Sequence, residues 1–208
     1  ELNMSLEQEA VALGELGTQW FRAQVSIQIV ALQESLQEAD GFARAVDDRQ
    51  YARQERAVQQ VLHVLRHLHS VWAPIVPPRT LLRTMGELVD VVFAQVISMI
   101  KALEDIGEKE SERLAALCRL LSQGAEQMLE STVDGAAGIG AAMVVPTWFK
   151  FMYLPEILTA SLRDLEYLLF DPDSGGALED YSKGEIVALI RALFADTPHR
   201  QRLLGRIG

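Results

Sequence analysis

Apolar residues recur along this chain at the spacing of an α-helix, and no stretch alternates between apolar and polar residues for long enough to predict a β-strand. A first long helix is predicted from about Ser5, which has capping-box spacing to Gln8, to about Ala39. Asp40 and Gly41 then form a typical helix stop. The pattern as a whole predicts an all-α fold.

Three more helices are predicted in the first 130 residues. The second runs from about 48 to 71 and is ended by the prolines between 72 and 78. The third follows to about 106, and its apolar residues cover more than one narrow stripe, so we expect it to lie centrally in the core. The fourth begins near 108, where three glutamates suit the positive end of a helix dipole.

A change in composition separates the last third of the chain. Residues 131–146 are rich in glycine and alanine, and they predict a flexible connection. An aromatic cluster at 148–153 then leads into a helix that is predicted to have Pro155 in its first turn and to run to about Leu169. A loop of Asp, Pro, Ser and Gly at 171–178 ends that helix.

Two amphipathic helices complete the chain. Ser182 and Glu185 form a capping box for the first, whose apolar residues extend to Phe194. Thr197 and Pro198 have the N-cap and first-turn chemistry that begins the second. We therefore predict about six to seven helices, arranged as a bundle over residues 1–130, a flexible connection over 131–146 and a C-terminal subdomain over 147–208 packed on the first.

Charge is distributed unevenly on this acidic chain. The formal net charge is −10, which argues against a nucleic-acid surface. Residues 182–208 nevertheless contain five basic and two acidic side chains, so this segment carries +3 and the rest carries −13. A basic tail of this kind would steer an acidic partner, although a solvated helix face explains the same residues.

The start of the chain, its apolar stretches and its cysteine content indicate in which compartment the protein is expected. The longest apolar stretch, residues 81–106, is interrupted by charged residues, so no transmembrane helix is predicted. No secretory signal opens the chain, and it begins at Glu1 rather than Met, so we expect a piece of a longer protein. Cys118 is the single cysteine, and we expect it to be a small buried hydrophobe in a reducing compartment.

Three motifs invite a chemical interpretation and each is incomplete. His63 and His67 share a helix face next to His69, but Val64 replaces the general-base Glu of a zinc protease and no third ligand is evident. The glycines at 134–140 lack both the preceding strand and the Gly-Lys-Ser/Thr of a nucleotide loop. The loop at 171–182 has Ser where a calcium loop needs its bidentate Glu. We therefore predict no metal, no cofactor and no enzyme activity, with a metal-binding bundle around the histidines as the alternative.

Several longer motifs carry a resemblance to a known family. They extend over about residues 60–208, most clearly after Pro146, and the chain departs from the family at the Gly/Ala-rich stretch. The segments are Pro146–Phe151, Leu158–Leu162 and Glu185–Thr197, with Met85–Leu88, Leu103–Ile106 and Glu112–Cys118 upstream. Together they resemble the C-terminal region of the Zeste-White-Ten family.

The resemblance implies an architecture and a role. The architecture is that of stacked helical bundles in multisubunit tethering complexes of the Dsl type. The implied role is a scaffold subunit of an ER-associated tether for Golgi-to-ER retrograde vesicles, cytoplasmic and held at the ER membrane only through partners. Its C-terminal helices would bind the large helical tether subunit of the NAG type, with other subunits and SNAREs contacted indirectly. The alternative is a kinetochore checkpoint scaffold that binds Rod and helps to recruit dynein.

The residues expected to contact a partner combine aromatic and basic side chains, which often dominate binding energy. Each aromatic residue among them has an alternative role in closing the core of this chain itself. The expected contact residues are Trp148, Phe151, Lys183, Arg191, Phe194, Arg200, Arg202 and Arg206.

Overall fold

The computed structural model describes residues 2–131, 139–174, 176 and 178–208. These residues form nine α-helices and two single 3₁₀ turns, with no strand among them, which confirms the all-α prediction. The helices are α1 (Leu2–Gln37), α2 (Asp48–Trp72), α3 (Pro78–Lys101), α4 (Glu108–Glu130), α5 (Ile139–Val144), α6 (Trp148–Thr159), α7 (Leu162–Phe170), α8 (Lys183–Leu193) and α9 (Pro198–Ile207).

Local capping chemistry accounts for where α2, α3 and α4 begin. The Asp47 carboxylate accepts hydrogen bonds from two backbone N–H groups in the first turn of α2. Pro78 occupies the first position of α3, where its missing N–H costs nothing. The Glu110 side chain accepts from the Gly107 N–H at the start of α4. All three starts agree with the sequence prediction.

Helix α1 differs from its prediction at the beginning and agrees at the end. It begins at Leu2, so Ser5 lies inside it rather than at its start, and it continues without a break past Gly14 and Gly17. Its stop is a turn in left-handed backbone, where the φ angle is 63° at Gly41 and 61° at the buried Phe42. Burial of the Phe42 ring holds this residue in a conformation that bulky side chains rarely adopt.

Helix α3 occupies the centre of the molecule, as its apolar pattern predicts. It packs against α1, α2, α4, α5, α6 and α8. It ends at Lys101 rather than near 106, because the chain turns there so that the buried Ile106 donates its N–H to the Ala192 carbonyl at the end of α8. That tertiary hydrogen bond is invisible to local sequence patterns.

The helix predicted from the aromatic cluster to Leu169 is two helices. Ala160 is extended, with φ −73° and ψ 147°, and Ser161 caps α7 through a capping box with Asp164. The aromatic cluster lies inside α6, and Pro155 is an interior residue of that helix rather than part of a first turn. The Ser-x-x-Asp capping signal therefore decides the break, and the apolar periodicity across it is misleading.

Part of the predicted flexible connection is helical. Residues 132–138, which include most of the glycine-rich motif, lie outside the described residues, whereas 139–144 form α5. The side chains of Ala141 and Val145 are buried against the core. Helix α3 approaches this segment so closely that a Cβ added to Gly86 would lie 2.6 Å from the Val144 carbonyl oxygen. Gly86 is thus required by packing.

The buried apolar side chains form two clusters that meet along α6. The larger cluster contains the core faces of α1 to α4 together with Phe151, Leu154 and Leu158 of α6. The smaller one joins Ile157 of α6 to α7, α8 and α9. Two different faces of one short helix therefore serve the two clusters. The division of the chain at residues 131–146 stays a prediction.

The heart of the larger cluster is an aromatic stack. The Phe93 ring of α3 lies parallel to the Phe151 ring of α6, with centroids 3.8 Å apart and an angle of 10° between the planes. The Trp148 ring lies 5.8 Å from Phe93. Such ring pairs contribute about 0.5–1.5 kcal/mol beyond the burial of their area.

We predict that Phe151→Ala lowers the free energy of unfolding by about 3–5 kcal/mol, because it removes a fully buried ring and leaves a cavity against Phe93. Phe149→Ala on the exposed face of the same helix is the control and should change it by less than about 1 kcal/mol. Chemical denaturation followed by circular dichroism measures both. Equal effects of the two substitutions would contradict this placement of α6.

Candidate partner-binding surface

Two of the expected contact residues lie in the core. Phe151 is fully buried in the stack with Phe93, and Trp148 is 5% exposed beside it. Neither ring is available to a partner in this fold, so their assignment to a binding surface is wrong. Their alternative role, closing the core of this chain, is the one that the structure shows.

Other apolar side chains of α6 face solvent instead. Phe149 is 57% exposed and Met152 is 37% exposed, one turn apart on the face opposite Phe151. They are absent from the expected contact residues because the aromatic cluster was considered as one unit. A helical projection of 148–159 separates the two faces, so the signal was present in the sequence.

The predicted capping box at the start of α8 is part of a larger ionic cluster. Glu185 closes the box with Ser182, and its carboxylate also accepts from Lys101 at the end of α3 and from Lys150 of α6, whose Nζ lies 2.8 Å from Oε2. The Glu185 and Lys150 side chains are each 20% exposed. Burial alone would raise the pKa of Glu185, but the hydrogen bonds from the two lysines and from the Ser182 N–H outweigh it and lower the pKa to about 2.

Tyr181 adds two contacts with Lys150 to this ionic cluster. Its hydroxyl donates a hydrogen bond of 2.7 Å to the Lys150 carbonyl oxygen, and the Lys150 ammonium lies 5.0 Å from the centre of its ring. Desolvation of the buried hydroxyl raises the pKa of Tyr181. Helix α8 is therefore tied by its first turn to both α3 and α6.

Arg200 faces inward rather than toward solvent. Its side chain is 14% exposed and its guanidinium donates to the Phe194 carbonyl oxygen at 2.6 Å, while pairing with Asp196 at 2.8 Å. It thereby donates a hydrogen bond to a backbone carbonyl at the carboxyl end of α8, where the helix dipole favours a cation. Phe194 itself is half-buried against the smaller cluster. Both residues join α8 to α9, so Arg200 is not the exposed cation that the prediction required.

Arg206 is also engaged within the chain. It pairs with Glu166 of α7, and its guanidinium lies 4.1 Å from the centre of the Phe170 ring. The His199 ring approaches the same carboxylate at 3.5 Å. The side chain of Arg206 is still half exposed, but its charge already has a partner.

Three of the predicted cations remain exposed. Lys183, Arg191 and Arg202 form no ion pair within the described part of the chain. Arg202 donates only to the Pro198 carbonyl of its own helix. We refer to Lys183, Arg191 and Arg202 as the α8–α9 cations. They are the part of the predicted surface that an acidic partner could reach.

The histidines of α2 and the described part of the Asp-rich loop form no metal site. Within the described ranges, no three His, Cys, Asp or Glu side chains come together in a way that could hold a metal ion. The Asp171 side chain accepts from the Asp173 N–H in a 3₁₀ turn, while residues 175 and 177 of the same loop lie outside the described residues. Cys118 is buried, and burial raises the pKa of its thiol to about 12, so it stays protonated and unreactive.

The helices give no sign of a membrane span. Of those that the structure describes, none is long and apolar enough to cross a bilayer. The central helix α3, the most apolar of the long ones, carries charged side chains along its length and packs against protein on several sides.

Replacing Glu185 by Gln should lower the free energy of unfolding near pH 7 by on the order of 1–3 kcal/mol, because charged hydrogen bonds to two lysines are lost. The pKa of Glu185 is depressed in the folded state, so its stabilisation is present above about pH 5 and is lost as the pH falls toward 2. The difference between the two proteins should therefore shrink on acidification. Urea denaturation between pH 7 and pH 3 tests this, with exposed Glu179→Gln as control; a difference independent of pH would refute it.

Comparison with known proteins agrees with the fold and with the resemblance in the sequence. The model of the ZW10 C-terminal helical domain family matches residues 56–207. "Centromere/kinetochore protein zw10 homolog" of Mus musculus is 34% identical over 196 residues, which cover 92% of this chain and 25% of that protein. The Drosophila melanogaster protein is 30% identical over 98% of this chain and 27% of its own length. The Arabidopsis thaliana homolog is 27% identical over 88% of this chain and 25% of its own length.

The chain thus spans about a quarter of the length of the curated relatives that it matches. The matched family region starts within α2 and extends through α9, so it includes the central helix α3, the aromatic stack and the ionic cluster at Glu185. On this match the chain belongs to the ZW10 C-terminal helical domain family.

Proposed function

We propose that this chain is a non-enzymatic scaffold module that binds an acidic surface of a helical partner through the α8–α9 cations. The observation that carries the proposal is the separation of charge in the fold. Lys183, Arg191 and Arg202 lie exposed without an ionic partner among the described residues, on a chain whose net charge is −10. Unpaired exposed charges of this kind steer association and select partners of complementary potential.

The surroundings of the α8–α9 cations support binding by a preformed surface. Helix α8 is held at its first turn by Glu185 and at its last by Arg200, so Lys183 and Arg191 project from a rigid element. A rigid surface loses little conformational freedom on association. Among the described residues, the thiol of Cys118 is buried and protonated and no group of three His, Cys, Asp or Glu side chains could hold a metal ion, which favours scaffolding over catalysis.

Two assemblies are candidates for this scaffold. The names of the relatives support a place at the kinetochore, where the partner would be Rod and the assembly would help to recruit dynein. The family resemblance also implies an ER-associated tether for retrograde vesicles, in which the partner would be the NAG-type subunit. We propose the same surface for both, with membrane association through partners only.

A binding experiment tests the surface. We expect the triple charge reversal K183E/R191E/R202E to weaken binding to purified Rod or NAG-type subunit by about tenfold or more, chiefly through a slower association rate. The control R49E/R53E/R56E makes the same change of charge on exposed arginines of α2 and should have a much smaller effect. Surface plasmon resonance at two salt concentrations measures both. Unchanged binding of the first variant with an intact circular dichroism spectrum, or equal losses in both variants, would contradict the proposal.

The assembly is tested in cells. Co-purification of the tagged full-length protein from dividing and non-dividing cells should recover Rod during mitosis if the chain serves a kinetochore, and NAG-type subunits in both states if it serves a tether. Recovery of tether subunits alone during mitosis would contradict the kinetochore role.

A further inference from the structure

Helix α1 carries two apolar stripes on opposite sides. The inner stripe packs on the bundle, where Val25, Leu32 and Leu36 are buried and Phe21 meets the Trp72 ring edge-on. The outer stripe repeats with the heptad spacing of a coiled coil over three heptads. Its members are Leu13, Leu16, Trp20, Ala23, Ile27 and Val30.

The outer stripe is open to solvent along its whole length. Leu13 is 69% exposed, Trp20 is 66% exposed and Ile27 is 56% exposed, and the stripe's other members are exposed too. Because each residue turns an α-helix by about 100°, positions 13, 16, 20, 23, 27 and 30 fall within one narrow sector, roughly opposite Val25, Leu32 and Leu36. Contiguous exposed apolar surface of this length marks an interaction site.

The positions that flank the outer stripe carry no charge. In a coiled coil these flanking positions usually hold the charged residues that choose between partners. The flanks here are Ala12, Gln19 and Ser26 on one side and Gly17, Gln24 and Ala31 on the other. Four of these six residues are small, which lets a second helix approach closely, and none of the six carries a charge that would attract or repel an identical stripe.

The outer stripe is complementary to itself when it is reversed. Its positions are symmetric about the midpoint between residues 21 and 22, and in an antiparallel pair each position meets its mirror position on the other helix. The largest member, Trp20, then faces the smallest, Ala23. Leu16 faces Ile27, and Leu13 faces Val30. This alternation of large and small side chains is what a packed interface requires.

We propose that the outer stripe of α1 docks on the same stripe of a second copy of this chain, as an antiparallel helix pair with two-fold symmetry. The interface leaves the α8–α9 cations out, so it is independent of the partner surface proposed above. Like charges oppose it at its two ends, where Glu9 of one copy faces Glu34 of the other, and each chain carries −10. Added salt should therefore strengthen the association.

Exchange of the large and small residues tests the pairing. In sedimentation equilibrium of the 208-residue chain, we expect dimers of the wild type at micromolar concentrations, about 10–100 µM. Ala23→Trp should weaken dimerisation at least tenfold because two Trp side chains then collide, and Trp20→Ala should weaken it by removing the larger knob. The double variant W20A/A23W restores one large and one small residue in each layer and should recover most of the association.

A matched pair of charge insertions provides the control. Ile27→Glu, on the stripe, should abolish dimerisation, whereas Val11→Glu, at a similarly exposed apolar position outside the stripe, should leave it nearly unchanged. Circular dichroism confirms that each variant is folded. A wild type that remains monomeric above about 100 µM would overturn the proposal and indicate that another helix covers the stripe. Failure of W20A/A23W to recover association, or equal effects of the two glutamates, would overturn it as well.

Discussion

The stack of Phe151 on Phe93 is the contact on which the rest of the C-terminal structure depends. Helix α6 reaches the central helix α3 through these two rings, with Trp148 beside them. Farther along α6, on another face, Ile157 belongs to the smaller cluster, around which α7, α8 and α9 assemble. The stack thus anchors the helix that both clusters share, and α8 adds a second connection through its own contacts with α3.

Charged groups complete that coupling in the half-buried space around α6. Glu185 lies between Lys101 and Lys150, so one carboxylate joins the end of α3, the first turn of α6 and the start of α8. Arg200 does the same at the other end of α8 by meeting the carbonyl of Phe194. A single carboxylate or guanidinium with several partners holds more backbone in place than an isolated surface ion pair does. Electrostatics thus fixes the orientation of α8 after hydrophobic burial has placed it.

The basic residues of the C-terminal segment divide into two groups for this reason. Arg200 and Arg206 satisfy charges and carbonyl groups inside the chain, whereas Lys183, Arg191 and Arg202 lie exposed. The family's role as a scaffold suits such a division, because a binding surface must be held rigid by some of its charges and must present others. The apolar residues of the long helix α1 divide in the same way, because one stripe packs on the bundle and the other is exposed to solvent.

The sequence by itself determined that this protein is all helical, where most of its helices begin and which family it belongs to, because periodicity, caps and motifs are local properties of the chain. It placed the starts of α2, α3, α4, α8 and α9, the last two through Ser182 and Thr197. Only the tertiary structure decided that Trp148 and Phe151 are core residues and that Arg200 faces inward, since an aromatic or basic residue suits an interface and an interior equally well. Only tertiary contacts could end α3 at Lys101, because the partner of Ile106 lies far away in the chain, at Ala192. Burial and long-range hydrogen bonding, which depend on neighbours distant in sequence, chose between the alternatives that the local pattern left open.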